Sequence, residues 1–323
     1  MHTFLPVQIN CRVDPVLQHY RPGSAMTSHL KTCVILNPKA GSAALAEDAI
    51  EKLRRLSPNE FHITSESGSA VEIAQKVVEK GCDFIVAAGG DGTLNEVING
   101  IGERAGQCRV GLVPLGTGND FARSLGLPTD PHESIALLRS HNVKFIDLVR
   151  VTSDQIRYFL NVSAGGFSGL VDEKLTPEIK KTWGPLAYLR CAAAALPELQ
   201  GYQTTIVLDE TETLALELYN VVIANGRYVA GGVPIAPEAV LDDGLLDVIL
   251  IPKTSATDLT VVVAQIVLGK HMGTNGIVFR QAAKVAVNSK PGMWFNVDGE
   301  LVGNEPAVFE VLPRALQFVT AEP

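Results

Sequence analysis

The chain has 323 residues, 46% of them hydrophobic, so it can bury a full core, and the length favours about two domains over one. Its 27 lysines and arginines stand against 35 aspartates and glutamates, a formal charge of -8. This acidic balance argues against a nucleic-acid partner, because nucleic-acid binding relies on basic surfaces. Composition therefore indicates a globular protein that does not bind nucleic acid.

The N-terminal residues and the longest apolar run bear on localisation. Residues 1–30 contain Arg12, Asp14, Arg21 and three prolines, which interrupt any signal-peptide hydrophobic region. The longest candidate for a membrane span, Leu259 to Gly269, is shorter than the roughly 18 apolar residues that a span needs. We therefore expect a loose leader over residues 1–30 and a cytoplasmic protein whose contact with a membrane is peripheral.

Strands and helices alternate in the first half of the chain. The segment "TCVILNPKAGSAALAEDAIEKLRRL" moves from a β-branched run through an Asn-Pro/Gly turn into a helical pattern. "FHIT", "DFIVAA" and "RVGLVPL" add three more strands, each separated from the last by a helical pattern. Such alternation implies right-handed crossovers and a parallel sheet with helices on both faces. We predict a nucleotide-binding α/β domain over residues 31–147.

The second half is rich in short β runs joined by Gly, Asp and Asn turns. The runs are "FIDLVRV", "RYFLNVSA", "TTIVLD", "ELYNVVIANG", "GLLDVILIP", "KVAVN", "MWFNVDG" and "FEVLP". They suit an antiparallel sandwich or barrel, which we place at residues 148–311. Two apolar helical segments, "WGPLAYLRCAAAALPEL" and "ATDLTVVVAQIVLG", either pack against the sandwich or wall an apolar substrate site.

The segment "GGDGTLNEV" joins the third predicted strand to a helix. Gly89, Gly90 and Gly92 permit positive φ and close backbone approach, and the helix N-terminus offers unpaired N–H groups to an anion such as phosphate. Thr93 and Glu96 have the spacing of a capping box, which would satisfy two helix-end donors. The turn therefore predicts a phosphate site at the start of a capped helix.

Capping does not explain Asp91 in this turn. It would lie at the carboxyl end of a buried parallel strand, where open α/β sheets bind ligands, and a carboxylate beside phosphates suggests a bridging Mg²⁺. The next strand ends in a second glycine-rich turn, "VPLGTGNDFAR", with glycine, hydroxyl and acid between Gly116 and Asp120. Since neither the P-loop nor the dinucleotide signature occurs, the two turns and "NPKAG" together predict one nucleotide crevice of another type.

Five motifs in order resemble those of the diacylglycerol kinase catalytic superfamily: "GGDGTLNEV", "PLGTGNDFAR", "NVSAGGF", "PIAPEAVLDDGLLDV" and "FNVDGE". The likeness is greatest to its soluble bacterial members, related to diacylglycerol and phosphatidylglycerol kinases, and covers about residues 31–320. It implies an α/β nucleotide domain of the type shared with NAD kinase, a β-rich lipid-substrate domain, and ATP in the cleft between them. It also implies that the C-terminal segment, about 312–323, returns to the first domain.

The resemblance carries nucleotide-binding roles over to matching positions. The residues expected to bind the nucleotide are Asn37, Thr64, Gly89, Gly90, Asp91, Gly92, Thr93, Asn95, Glu96, Thr117 and Asn119. A plain Asn-Pro turn also accounts for Asn37, and a strand end for Thr64. Where family members often show Ser-Gly or Gly-Gly after the first Asn-Pro, this chain has Lys39, which either reaches a phosphate or is solvated.

Two metal sites are implied in the same way. Asp91, Asp120 and Asp147 resemble the acidic cluster that surrounds the catalytic Mg²⁺, partly through water. In "AVLDDGLLDV", a second, structural Mg²⁺ would be ligated by Val240, Asp243 and Leu245 through carboxylate and main-chain oxygens, which suit a hard cation. The alternative for the second site is a plain Asp-Asp-Gly turn.

The motif "NVDGE" offers Asp298 and Glu300 for catalysis. Phosphoryl transfer to a hydroxyl needs a carboxylate that accepts its proton. Spacing leaves the two carboxylates undecided, and an Asp-Gly hairpin turn is the structural alternative. The resemblance favours Glu300 as proton acceptor, with Asp298 as its partner and Asp91 as the third catalytic residue. Arg123 either neutralises the transferring phosphate or is a surface arginine.

We therefore expect a kinase that uses ATP and Mg²⁺ to phosphorylate a lipid hydroxyl at the membrane surface. An NAD kinase is the second possibility, because that related family shares GGDGT, although "PLGTGNDFA" and "APEAVLDDGLLDV" favour the lipid side. A non-catalytic lipid or nucleotide binder is the third. Residue types do not discriminate among diacylglycerol, phosphatidylglycerol, a sphingoid base and an isoprenoid alcohol as acceptor, and they do not predict an oligomeric state.

Overall fold

The computed structural model describes residues 30–140, 142–166, 199–303 and 306–321. The expected leader lies outside the described residues except for its last position. Most of the apolar segment "WGPLAYLRCAAAALPEL", residues 183–199, also lies outside them.

Four parallel strands form the sheet of the first half. They are β1 (Thr32–Leu36), β2 (Glu60–Ile63), β3 (Phe84–Gly89) and β4 (Arg109–Pro114), in the order β2-β1-β3-β4. The central strand β3 is buried along its whole length, because helices cover both faces of the sheet. All four strands therefore direct their carboxyl ends to the same edge.

The helices divide between the two faces of this sheet. They are α1 (Ala43–Arg54), α2 (Ser69–Glu79), α3 (Asp91–Ile101), α4 (Asp120–Leu125) and α5 (Pro131–Leu137), with a 3-10 turn at Gly102–Gln107. Alternate residues of each strand point to opposite faces. Accordingly Cys33 and Ile35 pack with α2 and α3, whereas Val34 and Leu36 pack with α1 and α5.

Antiparallel strands make up most of the second half. They are β5 (Val143–Thr152), β6 (Ile156–Phe159), β7 (Val162–Gly166), β8 (Tyr202–Leu208), β9 (Glu212–Ala224), β10 (Tyr228–Val229), β11 (Val233–Pro234), β12 (Leu246–Pro252), β13 (Val278–Ala282), β14 (Lys284–Lys290), β15 (Phe295–Val297), β16 (Glu300–Val302) and β17 (Ala307–Val319). The helix α6 (Ala256–Val267) packs on one face through Leu259, Val262 and Ile266. The predicted fold class, an α/β domain with a parallel sheet joined to a β-rich sandwich, is confirmed.

One long strand crosses from the second half into the first. The runs "FEVLP" and "ALQFV", which the sequence suggested as separate strands, belong to β17, which pairs with β14 at one end and runs parallel to β4 at the other. It also pairs with β5 along most of its length, with an irregularity between Leu312 and Leu316. The parallel and antiparallel regions are therefore parts of one hydrogen-bonded 15-stranded sheet.

The run "RYFLNVSA" is two strands rather than the single one that its composition indicates. The break falls at Leu160 and Asn161, whose backbone N–H groups donate to the carboxylate of Asp298 instead of to a neighbouring strand. A side chain more than 130 residues away thus ends β6 and begins β7.

Among the described residues, no helix is long and apolar enough to cross a membrane.

Candidate functional site

A cleft of about 440 Å³ lies at the carboxyl ends of the four parallel strands. Asn37 follows β1, Thr64 follows β2, Gly90 follows β3 and Gly116 lies just after β4. The lining residues are Asn37, Lys39, Ala40, Gly41, Thr64, Ser65, Glu66, Ser67, Ala70, Gly90, Gly92, Thr93, Glu96, Gly116 and Thr117. This is the edge at which open α/β sheets bind ligands.

The two glycine-rich turns touch each other backbone to backbone. A side chain at Gly116 would place its Cβ 2.7 Å from the Cα of Gly90, and one at Gly89 would lie 2.3 Å from Oγ1 of Thr93. Side chains at these positions would push the turns apart. The glycines therefore bring the loops after β3 and β4 together at the floor of the cleft.

The start of α3 differs from the predicted capping box. Gly90 is the N-cap residue, and no side chain caps this helix. Thr93 lies inside the first turn, where its Oγ1 accepts a hydrogen bond from Nδ2 of Asn37 at 3.2 Å. Because the N-terminus of α3 is uncapped and Gly92 lines the cleft, the positive end of this helix faces the cleft and favours an anion there.

Glu96 also differs from its role in the predicted capping box. Its Oε2 accepts a hydrogen bond from the backbone N–H of Ala70 at 3.0 Å, in the first turn of α2. Its Oε1 lies 3.4 Å from Oγ of Ser67. Glu96 therefore caps the neighbouring helix and not its own.

Asp91 and Asp120 lie side by side beside the second glycine turn. The carboxylate of Asp91 accepts hydrogen bonds from the backbone N–H groups of Asp120 and Phe121, both at 3.1 Å, which caps α4. Asp120 accepts a hydrogen bond from Gly231 N at 2.8 Å through Oδ2. Its buried Oδ1 has no hydrogen-bond partner within the described part of the chain. Burial, reinforced by the negative charge of Asp91, raises the pKa of Asp120 despite the Gly231 N–H.

These two carboxylates fit a hard cation. Oδ1 of Asp120, which has no hydrogen-bond partner within the described residues, is available to ligate a cation. Gly118 keeps the adjacent space open, because a Cβ at Gly118 would lie 3.1 Å from Oδ2 of Asp91 and 3.8 Å from Oδ2 of Asp120. The described residues contain no group of three metal-ligating side chains. A Mg²⁺ held here would therefore take its remaining ligands from phosphate oxygens and water, as Mg²⁺ commonly does in kinases.

Asp298 and Gly299 form the two-residue turn of the β15–β16 hairpin. Both have positive φ, 45° and 97°, as a type I′ turn requires. The Asp298 carboxylate accepts hydrogen bonds from three successive backbone N–H groups, of Leu160, Asn161 and Val162, at 3.1, 3.4 and 2.9 Å. Burial raises the pKa of Asp298 to about 6; the three N–H groups oppose this rise, and the charge of Asp91 adds to it. Asp298 thus belongs to the same electrostatic neighbourhood as Asp91.

Glu300 begins β16, two residues after Asp298. It is half-buried, and among the described residues its carboxylate has no hydrogen-bond or ion-pair partner. The hairpin therefore holds one carboxylate whose oxygens are bonded to the backbone and one that is available to a ligand.

Asp147 does not join Asp91 and Asp120 in a metal-binding group of the described residues. It is fully buried in the middle of β5, where its carboxylate accepts hydrogen bonds from Gly244 N and Arg314 N, both at 2.7 Å. Arg314 lies in the irregular part of β17, where strand pairing leaves its N–H without a backbone acceptor. Asp147 supplies that acceptor. Its expected place around the catalytic Mg²⁺, partly through water, stays a prediction.

The expected structural metal loop lies against Asp147. The backbone N–H of Asp147 donates to Leu241 O at 2.7 Å, and Oδ1 of Asp243 accepts from Leu245 N at 3.0 Å within a tight turn. Val240 is 41% exposed. The role of Val240, Asp243 and Leu245 as Mg²⁺ ligands stays a prediction.

Several of the expected nucleotide-binding residues support the cleft without lining it. Asn95 is buried and bonds to Asn99, and Asn119 bonds through Nδ2 to Gly116 O at 2.7 Å. Conversely, the lining residues Ser65, Glu66 and Ser67 were not singled out from the sequence. Their signal was the polar run "TSES" directly after β2, at the strand end where ligands bind.

Comparisons with known proteins agree over nearly the whole chain. The family model described as "Diacylglycerol kinase catalytic domain" matches residues 31–151, and the one described as "YegS C-terminal NAD kinase beta sandwich-like domain" matches residues 161–320. A diacylglycerol kinase of Staphylococcus saprophyticus is 31% identical over 291 residues, covering 89% of this chain and 94% of the relative. That of Staphylococcus aureus strain Newman is 31% identical over 290 residues, covering 87% and 89%.

Two solved structures share the fold. A diacylglycerol kinase from Bacillus anthracis aligns with a TM-score of 0.66 at 24% identity, covering 90% of this chain and 96% of that one. An NAD kinase from Archaeoglobus fulgidus in complex with ATP aligns with a TM-score of 0.52 at 16% identity, covering 90% and 94%. With both halves matched by family models and relatives above 30% identity over most of their length, the chain belongs to the diacylglycerol kinase family and is an enzyme of the kinase class.

Proposed function

We propose that this enzyme transfers the γ-phosphate of ATP to the hydroxyl group of a lipid in a Mg²⁺-dependent reaction, with diacylglycerol as the leading acceptor. The observation that carries this proposal is a glycine-floored cleft, open to the uncapped end of α3, whose lining residues Gly90 and Gly92 flank Asp91; Asp120 and Asp298 lie in the electrostatic neighbourhood of that carboxylate. Such a lipid resides in a membrane, so we infer a cytoplasmic enzyme that acts peripherally at the membrane surface.

Each element has a distinct part in the proposed transfer. The N-terminus of α3 and the backbone of both glycine turns bind phosphate oxygens, because they offer N–H donors without side-chain obstruction. Asp91 and Asp120 hold Mg²⁺, which neutralises charge on the phosphates when it is bound. Glu300 accepts the proton of the attacking hydroxyl, and Asp298, fixed by three backbone N–H groups, holds the hairpin that presents Glu300.

Two other functions are compatible with parts of this geometry. An NAD kinase has the same overall fold, but relatives that match nearly the whole chain are diacylglycerol kinases, which favours a lipid acceptor. A non-catalytic binder would need the cleft but not a Glu300 carboxylate that has no partner among the described residues.

One transfer assay separates the three functions. The enzyme is incubated with ATP labelled in the γ-phosphate, Mg²⁺ and mixed micelles of diacylglycerol, phosphatidylglycerol, a sphingoid base or an isoprenoid alcohol, beside an NAD control. We expect label in the organic phase with diacylglycerol. Label only in NADP would reassign the enzyme to NAD phosphorylation, and saturable ATP binding without any product would support the non-catalytic binder.

A further inference from the structure

Glu96 connects two helices that form one side of the cleft. It projects from α3, and its carboxylate bonds to Ala70 N and approaches Ser67 at the beginning of α2. The same two helices pack closely one turn further on, where a Cβ at Gly100 would lie 2.3 Å from Val71 O. The packing of α2 against α3 therefore fixes the position of Glu96.

The start of α2 depends on Glu96 because its own sequence supplies no cap. The N-cap residue is Gly68, with φ 84° and no side chain to accept a hydrogen bond. The first-turn carboxylate of α2, Glu72, is exposed and pairs with Lys76 instead. A carboxylate at a helix N-terminus satisfies an otherwise unpaired N–H and interacts favourably with the helix dipole. Glu96 provides both the acceptor for the N–H and the negative charge from the neighbouring helix.

The segment that Glu96 holds is a wall of the cleft. Thr64, Ser65, Glu66, Ser67 and Ala70 all line it. At its first end the wall is fixed by Thr64 N donating to Leu36 O at 2.8 Å, and next to it Lys39 Nζ donates to Ser65 O at 2.9 Å. At its second end the Glu96 carboxylate is the connection to α3. Without it, the packing of α2 against α3 would remain, but the hydrogen bond that links this end of the wall to α3 would be lost.

We propose that Glu96 is a positioning residue for nucleotide binding: it caps α2, and through α2 it fixes the Thr64–Ala70 wall against the phosphate end of the cleft. This inference rests on the proposed function, in which ATP occupies the cleft. Glu96 itself lines the cleft, but in this proposal it acts on affinity through its bond to Ala70 N at the start of α2. The affinity for nucleotide depends on Glu96, whereas the rate of the transfer step at Asp91 and Glu300 does not.

The test compares Glu96→Ala, Glu96→Gln and Glu72→Ala with the unaltered full chain. Affinity is measured as the dissociation constant of the β,γ-imido analogue of ATP with Mg²⁺, and the transfer step as kcat with diacylglycerol micelles. Loss of a helix cap predicts about a fivefold higher dissociation constant for Glu96→Ala. Glu96→Gln keeps an oxygen for Ala70 N–H and loses only the charge, so its dissociation constant rises less than about threefold. For both variants kcat stays within about twofold of the unaltered enzyme.

Glu72→Ala is the matched control, since it removes a carboxylate from the first turn of the same helix without touching the wall. Its dissociation constant for the analogue should be unchanged. Hydrogen exchange at the Ala70 amide should accelerate in Glu96→Ala and not in Glu72→Ala.

Defined results would overturn the inference. Equal affinity of the unaltered chain and Glu96→Ala would do so, and so would a loss of kcat without a change in affinity. A direct contact with the ribose would instead appear as an altered preference for ATP over 2′-deoxy-ATP in Glu96→Ala. Should Glu96→Ala fail to fold, Glu96→Asp decides instead: its carboxylate is one methylene shorter and falls short of the Ala70 N–H, so an unchanged dissociation constant and an unchanged Ala70 exchange rate in that variant would exclude the cap. Failure of the unaltered chain to bind the analogue would instead overturn the proposed function.

Discussion

The carboxylates at the boundary between the α/β half and the β-rich half form two groups that differ in their hydrogen bonds to backbone N–H groups. In the first, the cleft group, Oδ1 of Asp120 has no hydrogen-bond partner within the described residues and lies 4.0 Å from Nη1 of Arg123, and Glu300 has no partner among those residues. At the strand crossing, Asp147 uses both oxygens to accept backbone N–H groups and is fully buried. Sequence motifs place Asp147 with the cleft group. The bonded oxygens give Asp147 a role in holding β17 and the Leu241–Gly244 loop, and its place around the catalytic Mg²⁺ stays a prediction.

The largest effect should come from Glu300→Gln. Glutamine has the same shape but cannot accept the hydroxyl proton, so we expect the transfer rate to fall by about 10²- to 10⁴-fold. The free energy of unfolding should change by less than about 0.5 kcal/mol, because no described residue bonds to this carboxylate. Single-turnover transfer and urea unfolding measure the two quantities. A variant with full activity would remove Glu300 from the proton-accepting role.

Asp91→Asn should also impair transfer while sparing the fold. Asparagine keeps an oxygen for capping α4 but loses the charge that a cation needs, so we expect transfer to fall by about 10²-fold or more. Tm should fall by only a few degrees, since asparagine keeps an acceptor for one of the two N–H groups at the start of α4 and loses it for the other. The Mg²⁺ dependence of the rate is the specific readout: an unchanged Mg²⁺ requirement in this variant would contradict cation binding at Asp91.

Asp147→Asn should show the opposite pattern. The amide of asparagine places a donor against Gly244 N or Arg314 N, leaving one buried N–H unsatisfied, at a cost of about 1–3 kcal/mol in the free energy of unfolding. We expect the Mg²⁺ dependence of transfer to remain that of the unaltered enzyme. Urea unfolding with a Mg²⁺ titration of activity checks both. A stable variant with a weakened Mg²⁺ requirement would return Asp147 to the catalytic metal.

The smallest effect concerns the pH dependence of stability. The pKa of Asp298 is raised from 3.8 to about 6, so the folded state holds this proton more tightly than the unfolded chain does. The corresponding stability is fully present below about pH 4 and is lost as pH rises through 6. Relative to Asp298→Asn, the unaltered chain should gain on the order of 1–2 kcal/mol between pH 7 and pH 4. The raised pKa values of Asp120 and Asp147 are present in both proteins and largely cancel; a pH-independent difference would contradict the shift.

Features set by local pattern were predictable from the sequence. The alternation of buried strands and amphipathic helices, and the glycines of both turns, identified the parallel sheet and the edge where its ligand site lies. A local pattern does not predict the bond of Glu96. Its spacing from Thr93 fits a local cap, but its carboxylate bonds to Ala70 of another helix. Spacing along the chain carries no information about that partner.

The break between β6 and β7 also depends on a side chain that is distant in sequence. Its residues are good strand formers, yet the carboxylate of Asp298 competes for the N–H groups of Leu160 to Val162. Similarly, the β17 irregularity depends on Asp147, from a strand that precedes it by most of the β-rich half. Long-range hydrogen bonds of single side chains thus decide the details that the sequence pattern leaves out.

The course of β17 also has a consequence for synthesis. The first half of the chain cannot complete its sheet when it leaves the ribosome, because the strand that pairs with β4 follows the entire β-rich half in sequence. Until then one side of β4 presents unpaired backbone groups, and the loop that must close is among the longest in the molecule. Completion of the parallel sheet is therefore coupled to the arrival of β17 and follows the synthesis of the β-rich half.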